Sequence, residues 1–506
     1  LVENPSTRGF TTLSAQLRHP RSRLEKAQWE KCEEILARAS TIAVDENDFL
    51  GVTLARTSNL FWAATRKAEA LAVNAAANRR VASSDGQRML RINEGTMRTI
   101  AGEPARGLTL LEENLEENLE RAPDVNVWLW GALAKTVGLA LAGRTSEATA
   151  WGEYAYRTHL SVDERTLITH PTAHTTSLIL AFTEAGRLDE ARAKGEYVFT
   201  DAVAVRAGVA RVWTACFLGR AELVAGHLTE ARNWYAESVA LARKYRSVIA
   251  LPLALSGLAA STAMLGDQEG AEKALNQLQG VPQTGHLTGE EKLGKAWLQA
   301  VRGRLTEARF MLTEAAQSAR GTGHLTSEML LLTDIARLGG AKDVAARMAV
   351  LAKICDGAFA PARAHMVAAL AADDHDQLLA ASGELEAIGA DLPAAEAATA
   401  AAAALRKSGQ ARQAAVAAQR AQACAARCQG ARTPLLMTPQ TTASLTARER
   451  EIALLAVQGT ASKDIADFLH LSVRTVDNHL QHVYAKLGVT TRRQLADSIG
   501  STPTRS

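Results

Sequence analysis

Arg474, Asp477, Asn478 and Gln481 recur at i, i+3, i+4 and i+7, the spacing that lines one face of a helix. All four are polar, and the amides of Asn478 and Gln481 can both donate to and accept from the edge of a base. The opposite stripe, Val476, Leu480, Val483 and Leu487, follows i, i+4, i+7, i+11 and is wholly apolar. This helix therefore has one face to bury and one to show. Thr475, His479, His482 and Lys486 flank the polar stripe. On an isolated helix such a stripe is an ordinary solvated face. On the second helix of a tight helix-turn-helix it has the shape of a major-groove reader.

Other arrangements with the types for chemistry fall short of it. Gly289, Gly294 and Lys295 give the spacing of a phosphate-cradling loop, but Ala296 stands where a Ser or Thr must hold Mg²⁺. The surrounding HLTGEEKLGKAWLQAVRG reads as helix, whereas that loop must follow a buried strand. His170 and His174 are spaced i, i+4, but HPTAH lacks the glutamate of a zinc protease and contains Pro171. Cysteines stand at 32, 216, 355, 424 and 428, without the even framework of a disulfide scaffold. Cys424 and Cys428 lie one helical turn apart with no third ligand, so they read as small apolar residues. We expect no enzymatic activity, no metal and no cofactor.

The elements that must position the polar stripe can be read from their caps. Thr446 and Glu449 form a T-x-x-E capping box for a first helix, with Ile452 and Leu455 facing inward, and Gly459 ends it. Thr460 or Ser462 begins a second, carrying Ile465, Ala466 and Leu469. The turn His470-Leu471-Ser472 leads to the third, with Ser472 as N-cap and Gly488 closing it. Thr491 and Gln494 make another capping box for a fourth. These helices define a domain over 445–506. Ahead of it GARTPLLMTPQTTAS, residues 430–444, is rich in Thr and Pro, holds no acid and reads as a linker.

Residues 1–429 are organised differently. The phrases GRTSEA, GRLDEA, GHLTEA and GRLTEA begin at 143, 186, 226 and 303, with weaker copies at 65, 102, 266, 340 and 409. From 102 to 340 the spacing is 37–43 residues, and the longer gap to 409 leaves room for a further turn near Asp373. Glycine tolerates the left-handed conformation that ends a helix. Ser146, Asp189, Thr229 or Thr306, three residues on, are placed to cap the next helix, and the alanine two residues later allows close helix approach. Each unit is thus a helical hairpin, and the units predict an all-α, tetratricopeptide-like solenoid. Such a stack offers a surface to an effector or a protein partner. Trp128, Trp130, Trp151, Tyr154, Trp213, Trp234 and Tyr235 either line a concave pocket in it or, as aromatics at helical spacing usually do, fill its core.

With 47% hydrophobic and 22% charged residues the chain can bury extensive apolar surface, which excludes a disordered protein. The net charge of +3 is too small to imply nucleic acid by itself. No basic start followed by an apolar core opens the sequence. The uncharged run Ser247–Gly266 is long enough to span a bilayer, but it contains Pro252, Ser256 and Gly257 and keeps the register of the repeats. It reads as buried helices, and the protein as cytoplasmic, without a membrane partner. A chain that starts at Leu1 is expected to be a fragment or to use a non-standard start.

LTARERE, KDIADFLHLS and TVDNHLQHVYAKLGV, in order over some 55 residues, resemble the LuxR-type helix-turn-helix domain. The resemblance implies a transcriptional regulator that binds double-stranded promoter DNA as a homodimer paired through the fourth helix, and that works with RNA polymerase. It places Asp477, Asn478 and Gln481 at bases, and Lys463, Arg474, Thr475, His479 and Lys486 near phosphates. One departure matters: many members carry lysine where this chain has Asp477, which repels phosphate but can accept from cytosine N4. The domain's charge is also modest, seven Lys/Arg against six acids. Helical repeats followed by this domain resemble the C-terminal part of the large ATP-binding LuxR regulators. Their nucleotidase domain is absent here, either lost or lying upstream of Leu1. Two alternatives stand beside the regulator: an interaction scaffold whose last domain has ceased to bind DNA, and a fragment of an ATP-dependent switch.

Overall fold

The computed structural model describes residues 29–63, 65–162, 170–200, 208–282, 285–437, 445–487, 489 and 491–498. Gly488, the N-terminal 28 residues and the second half of the expected linker lie outside these. Among the described residues the regular elements are all helical, a hairpin solenoid followed by a small helix-turn-helix domain.

The repeat phrase turns the chain at its glycine. Gly102, Gly143, Gly186, Gly226, Gly266, Gly303 and Gly409 have φ between +78° and +99°. Asp373 takes the same left-handed place at φ 56° and Thr65 at φ 54°. In the GAKDVA copy the turn residue is Gly339 at φ 91°, one residue before the glycine that the phrase singles out. The expected caps are corrected. The next helix starts only two residues after the glycine, as in Thr145–Leu160 and Leu305–Thr322, so Ser146 and Thr306 lie inside the helix, do not cap it, and donate their own amides to remote side chains.

The two helices of each hairpin differ in burial. Those before the turn, such as Thr172–Ala185, Gly208–Ala225 and Leu251–Met264, are buried almost all round. Those after it, such as Thr145–Leu160 and Leu228–Lys244, bury one stripe and show the other. The uncharged run at 247–266 is therefore one inner helix preceded by a short 3₁₀ turn, not a helix pair. No helix of the described residues is long and apolar enough to cross a membrane.

The solenoid winds back onto itself. Val125–Leu141 meets Leu325–Ile335, Thr172–Ala185 meets Phe359–Ala372, and Gly208–Ala225 meets Asp391–Lys407. Along this seam the turns of the first winding press on the second in strict order. A methyl on Gly143 would meet Cys355, one on Gly226 Leu392, one on Gly266 Arg432, and one on Gly303 Leu454. The backbone joins too: Asp356 N donates to Gly143 O at 2.8 Å, and Arg432 N to Met264 O at 2.6 Å. In a simple repeat array each unit touches only its neighbours. Here one apolar core runs from Leu60 to Cys428.

Charged groups also fill the interior. Arg220 pairs with Glu184 and donates to both oxygens of Glu290 at 2.7 and 2.8 Å. Arg337 donates to Glu396 and Asp334, each at 2.6 Å, and Thr433 donates to Glu396 at 2.6 Å. The cost of taking such charges out of water offsets much of their attraction, so these pairs add little net stability, while removing one partner would leave a buried charge uncompensated. The cavity between Trp297, Asp334, Arg337 and Phe359 has about 20 Å³, room for roughly one water. The aromatics are mainly core: Trp128, Trp213 and Tyr235 are buried, and Trp151 and Tyr154 pack on Trp128.

Candidate nucleic-acid interface

The first helix of the C-terminal domain, Ala447–Val457, starts on the expected capping box. Thr446 Oγ1 accepts from Glu449 N at 3.2 Å, and Glu449 returns the bond to Thr446 N at 2.7 Å. It stops at Gly459, φ 87°, where Thr460 N reaches back to Leu455 O and Gly459 N to Ala456 O. Arg492, which opens the fourth helix Arg492–Ser498, donates to the carbonyls of Ala456 and Thr460 at that end.

The second helix, Ser462–Leu469, is capped by Ala461 without a side-chain bond, so neither Thr460 nor Ser462 serves as its N-cap. It ends on His470 in the left-handed conformation, φ 53°, a strained turn for a residue with a Cβ. Arg448 braces the turn by donating to Leu469 O at 2.8 Å. The third helix, Val473–Leu487, is capped by Ser472, whose Oγ accepts from Thr475 N at 3.1 Å. Val476, Leu480 and Val483 are buried against Ile452, Leu455, Ile465, Ala466, Leu469 and Leu495, closing a core of the domain's own. Gln494 N donates to Thr491 Oγ1 at 3.2 Å, the forward half of the expected second capping box.

This core leaves the polar stripe outward. Arg474, Asp477, Asn478 and Gln481 are exposed, and no hydrogen bond or ion pair within the described residues engages their side chains. Lys463 is exposed on the second helix. Thr475 shares its hydroxyl with Ser472 at 2.7 Å, and His479 is half-buried at the stripe's edge. Lys486 has a task inside the domain: its Nζ donates to Glu449 at 2.6 Å. Burial works against the Glu449 carboxylate, but the bonds from Lys486 and Thr446 outweigh it and hold its pKa below the ordinary value. With Arg448 on Glu451, Arg492 on carbonyls and the Arg450 guanidinium sunk into the domain, its Nε buried, the exposed cations among the described residues that remain for a ligand are Lys463, Arg474 and Arg493.

Glu451 was not singled out by its sequence context. Its carboxylate accepts from Thr306 N at 2.9 Å and Thr306 Oγ1 at 3.1 Å, far back in the solenoid. Gln458 Nε2 donates to Val301 O at 3.1 Å, and the Arg304 guanidinium lies 4.7 Å from the centre of the Phe468 ring. No local pattern reports contacts between residues so far apart in the chain.

The geometry is that of a helix-turn-helix domain with a free polar face on its third helix. Residues 443–499 match the family model described as bacterial regulatory proteins, luxR family. The spore germination protein GerE of Bacillus subtilis is 48% identical over 50 residues, 10% of this chain and 68% of that protein. The chain belongs to the LuxR family of bacterial regulatory proteins. The putative HTH-type transcriptional regulator Rv0890c of Mycobacterium tuberculosis is 54% identical over 54 residues, which span 11% of this chain and only 6% of the relative. Among solved structures, a Rap protein complexed with competence and sporulation factor aligns over 83% of this chain and 99% of its own, at 10% identity and a TM-score of 0.41.

Proposed function

We propose that this protein is a cytoplasmic transcriptional regulator whose C-terminal domain reads promoter DNA in the major groove. The observation that carries this is the exposed, internally unengaged stripe Arg474, Asp477, Asn478, Gln481 on the second helix of a helix-turn-helix. In the reading, Asn478 and Gln481 bond base edges, and Asp477 accepts from a cytosine amine. Lys463 and Arg474 neutralise phosphates, Thr475 and His479 lie beside them, and Lys486 contributes at the far end of the helix as far as its bond to Glu449 allows. Three free cations supply little non-specific affinity, so two copies on one site, paired through the fourth helix, provide the rest. An effector or protein partner acts on the solenoid, and RNA polymerase is the downstream contact.

The test is to select bound sequences from random duplexes with the full chain, then footprint the preferred site. Protection of two half-sites supports the reading, and no enrichment over random duplex overturns it. The few free cations also favour a second reading, an interaction scaffold that does not bind DNA, and that result would put it first.

A further inference from the structure

The first amides of an α-helix lack partners within the helix and need an outside acceptor. Three solenoid helices take theirs from remote side chains. Asp356 accepts from Thr145 N at 2.6 Å and from Ser146 N at 3.2 Å. Gln429 Oε1 accepts from Thr229 N at 2.9 Å and from Glu230 N at 3.3 Å. Glu451 accepts from Thr306 N at 2.9 Å. All three helices follow the repeat phrase, and their own N-cap residues, Arg144, His227 and Arg304, make no side-chain cap. Asp356 and Gln429 belong to the solenoid's second winding, whereas Glu451 belongs to the helix-turn-helix domain.

The apolar contacts repeat the pattern. The second winding covers Gly143 with Cys355 and Gly226 with Leu392, and then Leu454 of the domain covers Gly303. Leu454 packs on the solenoid core and on the domain's own core at once. Glu451 is 2% exposed, so this is a sealed contact. The third helix's polar stripe stays open throughout.

We propose that the first helix of the DNA-binding domain docks as the next unit of the solenoid's second winding. Glu451, Leu454 and Gln458 form an intramolecular interface that fixes the domain's orientation and leaves its reading face free. A shift between the windings near Gly303 then reorients the reading helix without uncovering it. The regulatory use rests on the DNA reading proposed above, but the docking does not.

The experiment is hydrogen exchange on the full chain, read at the amides of 305–307, with 145–146 and 229–230 as internal controls. Docking predicts comparable protection at all three helix starts. Leu454→Lys should speed exchange at Thr306 by about tenfold or more and leave the controls unchanged. Arg304→Ala with Gln458→Ala, which spares every core residue, should act in the same direction if Leu454→Lys fails to fold. Fast exchange at Thr306 in the wild type, or no change in the double variant, overturns the docking. A DNA titration separates the rest. Affinity for random duplex should stay within about twofold on undocking, because the phosphate contacts are already free. A large gain would mean that docking covers the reading face, which overturns that part of the proposal. If no protein binds any duplex, the DNA reading fails while the docking stands or falls on exchange.

Discussion

Lys486 Nζ and a carboxylate oxygen of Glu449 lie 2.6 Å apart, tying the last turns of the domain's third helix to the first turn of its first helix. The same carboxylate closes the capping box on Thr446, so one acid fixes a helix start and a helix–helix angle together. Lys486→Ala should destabilise the domain by about 1 kcal/mol, less than a fully buried charged hydrogen bond because the lysine is partly exposed. Glu449 has its pKa lowered in the fold, so its contribution is complete above the ordinary carboxylate value of 4.5 and is lost as pH falls through the folded value. Urea melts of wild type and variant at pH 7 and pH 4 check both statements. An unchanged midpoint at pH 7 would contradict the first.

Lys463 has no such internal task. Lys463→Ala should leave the melt unchanged, weaken specific and scrambled duplexes alike, and reduce the salt dependence by about one phosphate contact. Titrations at two salt concentrations test this. A loss confined to the preferred site would assign Lys463 to a base instead.

The turns of the solenoid were legible because a left-handed residue with a helix on either side leaves a local signature, down to Asp373 standing in for glycine. The domain's caps and stripes were legible for the same reason: Thr446, Gly459, Ser472 and Val476 act within a few residues of themselves. What stayed hidden is non-local. Ser146 and Thr306 have the right types for caps, but their helices start too early for them to serve. Their amides are met instead by Asp356 and Glu451, which no repeat period connects to them. The run at 247–266 is long and uncharged enough to suggest a bilayer span because burial of its inner helix on every side removes charge just as a bilayer does.

The winding contact makes one glycine costlier to replace than another. Gly226 and Gly409 share the left-handed conformation, φ 92° and 79°. A Cβ on Gly226 would come within 2.0 Å of Leu392 Cβ, whereas Gly409 faces open space. Gly409→Ala should cost about 1–2 kcal/mol from backbone strain alone. Gly226→Ala should add about 1–3 kcal/mol for the clash across the windings. Thermal melts of the two variants side by side decide this, and equal losses would argue against the second winding.

Burial of three histidines predicts acid sensitivity. Burial pushes His174 down to about 3, with His159 beside it adding to the shift; it also takes His286 to about 4 and His324 to about 3. Unfolded, each would titrate near the ordinary value of 6.5. Below that pH the unfolded chain binds protons that the fold refuses, so stability is full above about 6.5 and falls toward about 4. The slope is at most about 1.4 kcal/mol per histidine per pH unit. His227 and His365 work the other way: the bond to Glu222 raises the first, and at the second burial is outweighed by the bonds to Glu384 and Gln377, so their contributions are present in acid and lost as pH rises through the raised values. Three fully buried rings outweigh these two partly exposed ones. The melting temperature should therefore be clearly lower at pH 5.5 than at pH 7.5, and equal values would contradict the assignment.

The recognition stripe gives the sharpest test of function. Asn478 and Gln481 are exposed and carry no internal bond, so replacing them by alanine should leave the domain's melt unchanged. If they face base edges, each substitution should cost about 1–3 kcal/mol on the preferred site. The loss on scrambled duplex should be much smaller, because non-specific affinity rests on phosphates. Val476→Asp makes the contrast: Val476 is fully buried, so this variant should unfold the domain and lose both duplexes together. The measurement is a titration of each variant against the selected and the scrambled duplex, alongside a melt. If Asn478→Ala and Gln481→Ala both keep the wild-type ratio of specific to scrambled affinity, this face is not the reader, and specificity must come from elsewhere in the chain.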